Sequence, residues 1–374
     1  MKQLRTLLLG LVIPVFSIAQ TTPEAKPTFT DENLEVVAET GKFQPIGVAV
    51  SKDNRVFVSF PRKAKDYQFG LTEIVAGKRV AYPDEKWNED GPESSHFVSV
   101  QDLCVDDQNN LWVLDSKPAP KSSIFKSEDQ EVEEGKFKLI KINIDKDKVD
   151  HIYTFFDLDK TISGLNDIRV DTKKNIAYLT DPGQSAIVVL DLKSGKTRTV
   201  LKNHASTVAD STIVLTYHGE PMATKDGKPF SSNANGIALT KDYKYLYYKP
   251  INQRNLFRIE TQYLADETLT DSVLATHVED MGRTSTSHGL IADETGNIYI
   301  TSSTDYSIKY LTPEGDLMVL TRDSRLLWPD SFGIGSDGYL YFSCAQLHLQ
   351  PTWNKGISKV EAPYKIFRVK LPNQ

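Results

Sequence analysis

Three observations predict an all-β chain folded as a six-bladed β-propeller. A short hairpin grammar returns six times, the copies are spaced at propeller-like periods, and both arms of each copy alternate apolar with polar residues. The copies read PIGVAVSKDNRVFVSF from Pro45, QDLCVDDQNNLWVLDS from Gln101, NDIRVDTKKNIAYLTD from Asn166, NGIALTKDYKYLYYKP from Asn235, HGLIADETGNIYITSS from His288 and FGIGSDGYLYFSCA from Phe332. With Gly47, Asp102, Asp167, Gly236, Gly289 and Gly333 as equivalent positions, successive offsets are 55, 65, 69, 53 and 44 residues. A single hairpin cannot bury its apolar face. Six small sheets packed around an axis bury all of them and leave only short edges.

Along the chain, the first residues read as an address. Lys2 and Arg5 precede an apolar core from Leu7 to Phe16, and Ser17-Ile18-Ala19 offers a cleavage site, so residues 1–19 are expected to be a secretory signal peptide. The apolar core is too short for a membrane span, and no other stretch approaches that length. Residues 20–33 read as a mobile leader and 34–374 as one propeller domain, secreted or periplasmic. Leu34 to Glu39 and Tyr364 to Leu371 alternate outside the repeats, so they are expected to complete sheets at the two ends, the first closing the ring by pairing into the last blade. Lys117 to Lys136, with its acidic run, reads as a solvated loop. Asn203 to Ser232 is a long insertion placed to cover one mouth of the ring.

Composition excludes some partners. With 44 Lys and Arg against 50 Asp and Glu, a net charge of −6 and no basic stripe, a nucleic-acid phosphate backbone has no electrostatic footprint here. Cys104 and Cys344 fall in repeats two and six and are expected as free thiols. Gly333-x-Gly335-x-x-Gly338 matches a dinucleotide fingerprint in letters only, since a strand and not a helix follows it. The acidic cluster Asp145, Asp147 and Asp150 lacks the Gly and Glu of a calcium loop and reads as a hairpin turn. The recurring turn aspartates Asp53, Asp106, Asp171, Asp242 and Asp293 are expected to cap their own turns. The recurring aromatics Trp112, Tyr178, Tyr247, Tyr299 and Tyr341 are expected to pack between blades.

The heads of the repeats carry the chemistry. First strands line a propeller's channel, so the residues before them converge at one mouth: Gln44, Gln101 with Asp102, Asn166 with Asp167, Asn235, Ser287 with His288, and Asp330 with Ser331. Carboxylates, amides and an imidazole in one ring suit a polar small molecule or a hard cation such as Ca2+. The alternative is that they hydrogen-bond neighbouring strands or channel water.

Linked phrases give a family resemblance. KLIKINIDKDKVDHIYTF from Lys138, IAYLTDPGQSAIVVLDLKSGKTRTVL from Ile176, NGIALTKDYKYLYYKPINQRNLFRIET from Asn235, SHGLIADETGNIYI from Ser287 and WPDSFGIGSDGYLYF from Trp328 resemble, in order, the yellow / major royal jelly protein family. The resemblance implies an exported six-bladed propeller, often with a small-molecule site at the channel mouth. Some members bind biogenic amines, some are dopachrome-converting tautomerases, and others are structural. A more distant resemblance, carried by Asn166-Asp167 and Asn235-Gly236, is to the gluconolactonase propellers, which hold a divalent cation at the mouth; His288 and Gln44 stand where that pattern expects carboxylates.

Three functions follow as expectations. A tautomerase would use His288 as base with Asp102 or Asp330. A lactonase-like hydrolase would hold a cation by Asn166, Asn235 and Asp102. A binder of aromatic amines would need only the pocket, with Gln101, Asn166, Asp167, Asn235 and Ser331 as polar contacts and Trp328 as a ring wall.

Overall fold

The computed structural model describes residues 28–61, 68–120 and 134–372. The expected signal peptide, most of the leader and the middle of the 117–136 loop lie outside the described residues. Six four-stranded antiparallel sheets stand in a ring, one for each repeat. From axis to rim, blade 1 is Val48–Val50, Val56–Ser59, Leu71–Val75 and Lys78–Ala81. Blade 2 is Val100–Val105, Asn110–Lys117, Lys136–Asn143 and Lys148–Tyr153. Blade 3 is Ile168–Asp171, Ile176–Asp181, Ala186–Asp191 and Thr197–Val200. Blade 4 is Ala234–Leu239, Tyr245–Pro250, Asn255–Glu260 and Glu279–Arg283, with two one-turn helices before its last strand. Blade 5 is Leu290–Ala292, Ile298–Ser302, Ser307–Leu311 and Leu317–Arg322.

Blade 6 takes three strands from the C-terminal end, Pro329–Ile334, Tyr339–Cys344 and Tyr364–Lys370. Its fourth comes from the N-terminal end, Glu35–Gly41, paired antiparallel to Tyr364–Lys370. Closure by the chain ends is therefore as expected, and it covers two edges that would otherwise recruit other chains. Arg368 reinforces the join with a 2.7 Å ion pair to Glu35.

The repeat grammar has a physical basis at both ends of each hairpin. Asp106, Asp293 and Asp337 accept backbone N–H groups of their own turns and also anchor the aromatic of the next strand: Trp112 Nε1 at 2.8 Å, Tyr299 OH at 2.9 Å and Tyr341 OH at 2.6 Å. The recurring aromatics, anchored in this way or not, pack into the neighbouring blade. Trp112 joins Ile168 and Val170, Tyr178 joins Leu246 and Tyr248, Tyr247 joins Leu290 and Ile298, and Tyr299 joins Phe332 and Phe342. Near the axis, second-strand hydroxyls reach the following blade's inner-strand entry. Ser59 donates to the carbonyl of Gln101 (2.8 Å), Ser116 to Leu165 (2.6 Å), Thr180 to Asn235 (2.7 Å) and Ser343 to Ile46 (2.5 Å). Blade 4 differs: Lys249, at the register position opposite Gly236, sends its ammonium to the carbonyl of Ser285 in blade 5.

Both cysteines are free, and burial pushes their thiols up. Tyr339–Cys344 continues as a strand after Gly338, and the Asp145–Asp150 cluster is a hairpin turn whose Asp147 pairs with Arg55 at 2.8 Å. No helix among the described residues is long and apolar enough to cross a membrane.

Inner strands approach so closely that a side chain at some repeat heads has no room. A Cβ at Gly289 would stand 1.9 Å from the carbonyl oxygen of Asp330 and 3.4 Å from the Cα of Ser331. Gly289→Ala is therefore expected to destabilise the protein by about 3 kcal/mol, the upper end for overpacking a core, read as a lowered midpoint in urea. An unchanged midpoint would show that the blade 5 to blade 6 junction yields freely.

Candidate ligand site at the channel mouth

The inner strands of blades 2 and 3 place a charge network across the axis. Asp102 is wholly buried at a bulge in the inner strand of blade 2. Its Oδ2 accepts the backbone N–H of Ile168 at 3.0 Å and Arg169 Nη1 at 3.2 Å, and its Oδ1 accepts Ser331 Oγ at 3.2 Å. Arg169 Nη2 continues to the carbonyl of Leu290 at 2.7 Å, so one guanidinium bridges blades 2, 3 and 5. Burial pushes the Asp102 carboxyl up, and Arg169 with the backbone N–H groups pulls it back.

Beside it, half-buried Asp167 accepts the carboxamide N–H of Asn166 at 2.7 Å, and the Asn166 oxygen accepts Gln101 Nε2 at 3.3 Å. Burial first, then the charges of Asp102 and Asp330, hold the Asp167 carboxyl well above the ordinary range, against Arg169. Burial and the two neighbouring carboxylates thus make Asp167 easier to protonate than an ordinary carboxyl.

Blades 5 and 6 build the other side of the mouth. Trp328 enters blade 6 with a left-handed backbone (φ 60°), which turns its indole back over the mouth: Nε1 donates to Asp330 Oδ2 at 3.1 Å, and the ring stacks on His288 at 3.8 Å. His288 Nε2 lies 2.8 Å from Ser303 Oγ, which lies 2.7 Å from the hydroxyl of Tyr217. Burial, and after it the charges of His348 and Lys249, depress the His288 imidazole well below its usual value, so it is neutral at pH 7.

Tyr217 belongs to the 203–232 insertion, which does roof this mouth. Leu215, Tyr217, Met222 and Phe230 pack on Ile46 of blade 1, Ile251 of blade 4, and Trp328, Ala345 and Leu347 of blade 6. The hairpin Thr216–Tyr217 with Glu220–Pro221 and the 347–361 segment border an open cavity of about 810 Å³ on the side of blades 5 and 6. Tyr217, Tyr306, Trp353 and His348 supply rings to its wall. Glu220, Glu361, Arg325 and Lys359 supply charge. The two carboxylates and two cations of the wall balance, and Asp323, outside this lining, pairs with Arg325 at 2.8 Å.

The structure thus sorts the expected residues into two groups. Gln101, Asn166, Asp167, Asp102 and Ser331 form one network with Arg169, while His288, Trp328 and Asp330 form a second under the roof. No hydrogen bond joins His288 to Asp102 or Asp330 among the described residues. Asn235 is buried, with its backbone carbonyl held by Thr180. As a cation site, Asn166, Asn235 and Asp102 offer a poor donor set: Asp102 already faces a guanidinium, and no three His, Cys, Asp or Glu side chains converge in metal-binding geometry among the described residues. Sequence reasoning missed Arg169, Ser303, Tyr217, His348 and Lys249. Only Arg169 and Lys249 left a trace, as cations inside otherwise apolar strands.

Solved structures similar to this chain are propellers. A gluconolactonase from Xanthomonas campestris superposes with a TM-score of 0.53 at 10% identity, over 91% of this chain and 89% of that one. A luciferin-regenerating enzyme gives 0.55 at 13% identity, over 91% and 95%. Virginiamycin B lyase from Staphylococcus aureus gives 0.51 at 14% identity, over 91% and 99%. At such identities the likeness is one of fold alone. No curated protein sequence matches significantly. The family model described as major royal jelly protein matches residues 98–362. That match covers the mouth residues from Gln101 to Ser331 together with the roof, and the chain belongs to the major royal jelly protein family.

Proposed function

We propose that this propeller is an exported binder of small aromatic amines, seated in the cavity between the roof and blades 5 and 6. The carrying observation is the cavity wall: three aromatic residues, Tyr217, Tyr306 and Trp353, around about 810 Å³, with Glu220 and Glu361 among its charged groups. Aromatic faces and a wall carboxylate attract an ammonium, and the volume admits a bicyclic ring. Binding is preferred to acid–base catalysis by His288 because that imidazole is enclosed and contacts a serine, while Asp102 and Asp330 are engaged by Arg169 and the Trp328 indole. A tautomerase reading keeps one supporting observation, the easily protonated carboxyl of Asp167. A lactonase-like site draws no comparable support from the donor set.

Titration calorimetry with tryptamine and dopamine is expected to show saturable binding. Trp353→Ala is expected to weaken it about tenfold and Glu220→Gln by a few-fold, in line with cation–π and partly screened charge contributions. Absence of saturable binding, or affinities untouched by both changes, would overturn this reading. Dopachrome turnover that disappears in Asp167→Asn would favour the tautomerase instead. Export is tested separately: the mature protein from its native host is expected to begin at Gln20, and an intact Met1 terminus on soluble protein would refute it.

A further inference from the structure

The cavity wall carries both signs of charge close together. Lys359 and Glu361 both line it, and at two residues' separation their Cα atoms are no more than about 7.6 Å apart. Burial, and then the charge of Glu361, push the Tyr306 hydroxyl up, so that carboxylate lies near a ring of the wall. Tyr306 is in turn tied to the roof: its hydroxyl lies 3.0 Å from His218 Nε2 in the hairpin turn, where Glu220 stands opposite Tyr217. Two carboxylates thus flank the wall tyrosines.

The 347–361 segment sets two donors on the same wall, and it is pinned in place. At its base Gln346 Oε1 accepts the backbone N–H of Glu361 and Gln346 Nε2 donates to the Glu361 carbonyl, both at 2.8 Å, while the Lys359 N–H donates to the Leu349 carbonyl at 2.9 Å. Asn354 donates to the carbonyls of His348 and Gln350, each at 2.9 Å, and closes the turn that carries Trp353. The Trp353 ring meets Phe230 edge to face at 5.3 Å, and its Nε1–H, enclosed, has no acceptor. Among the described residues no carboxylate pairs with Lys359, whereas Arg325, the other cation of the wall, is held by Asp323 at 2.8 Å. An exposed lysine alone holds an anion weakly. An enclosed indole N–H on the same wall adds a directed donor, which costs free energy for as long as no acceptor reaches it.

A ligand that carries only positive charge uses half of this wall. It meets Glu220 and Glu361, leaves the indole N–H unsatisfied and is repelled by Lys359. A ligand with an ammonium and a carboxylate on one carbon answers both halves, since Lys359 and Glu361 are themselves neighbours. We infer that the cavity selects aromatic α-amino acids over simple aromatic amines, an inference that rests on the amine-binding reading above and narrows it. The ammonium faces Glu361 and Glu220, the carboxylate takes Lys359 Nζ and the Trp353 Nε1–H, and the aromatic side chain lies among Tyr217, Tyr306 and Trp353. Lys359 and Trp353 are then the residues that set specificity, because a carboxylate is what distinguishes the amino acid from the amine.

The probes are L-tryptophan, tryptamine and indole-3-propionate, which share a ring and differ in charge, titrated calorimetrically into the full chain at pH 7 and constant ionic strength. L-Tryptophan is expected to bind about tenfold more tightly than either of the others, the lower end for one charge-assisted hydrogen bond. Lys359→Met alters an exposed side chain, so folding is expected to survive, and the ratio of L-tryptophan to tryptamine affinity is expected to fall to near one. Trp353→Phe keeps a ring against Phe230 and removes only the N–H donor; it is expected to lower the same ratio a few-fold. Tryptamine binding as tightly as L-tryptophan, or a ratio that both variants leave untouched, overturns the inference while the amine reading stands. Indole-3-propionate binding as tightly as L-tryptophan, or no saturable binding of any of the three, overturns the amine reading and the inference together.

Discussion

Everything in this molecule depends on how closely six inner strands can approach one axis. Backbone must meet backbone there, and the hydroxyl ties from Ser59, Ser116, Thr180 and Ser343 turn that proximity into hydrogen bonds between successive blades. Each tie satisfies a carbonyl at an inner-strand entry that the sheet itself leaves open, and so meets the general demand that buried backbone groups be paired. The chain ends complete the same circuit at the rim, where Glu35–Gly41 joins Tyr364–Lys370. A ring held at both radii is rigid enough to display a precise mouth.

Charge at the axis is arranged so that the ring is also closed electrostatically. Arg169 spans three blades and meets Asp102 in a buried pair whose remaining oxygens are filled by Ile168 and Ser331. Buried pairs stabilise only when such additional hydrogen bonds are present. Beside that pair, burial and the charges of Asp102 and Asp330 push the Asp167 carboxyl up. The polar lining of the mouth thus does structural service on the blade 2 and 3 side, while the cavity lies on the side of blades 5 and 6.

That second side is asymmetric because the additions to the repeat are asymmetric. The 203–232 insertion and the 347–361 segment lie over blades 4, 5 and 6, and they bring Tyr217, Trp353 and His348 to the mouth. Tyr217 touches the cavity with its ring and His288 through Ser303, so the roof is fastened to the scaffold by one hydrogen-bonded chain. In blade 4 a lysine occupies the place of the hydroxyl tie, which sets an amine where blades 1, 2, 3 and 6 have a neutral bridge.

The propeller was legible because its signal is periodic and local. Alternation marks strands, Asp turns mark hairpins, and an aromatic several residues after each turn marks the face that meets the next blade. Closure by the chain ends was legible for the same reason, as two alternating segments lacking partners in any repeat. Local order placed Gln101, Asp102, Asn166, Asp167, His288 and Asp330 at one mouth, yet it could not say which of them would meet. Asp102 and Ser331 are 229 residues apart, and Tyr217 and Ser303 are 86 apart. Such encounters depend on which side chain is long enough to cross the channel and where an aperiodic insertion comes to rest. By itself, therefore, the sequence determined the six blades, their order and the polar ring. Only the tertiary structure decided that Arg169 would take Asp102, that Trp328 would cover His288 and that Lys249 would be left without a carboxylate, because each follows from three-dimensional reach and burial, which a repeat pattern does not encode.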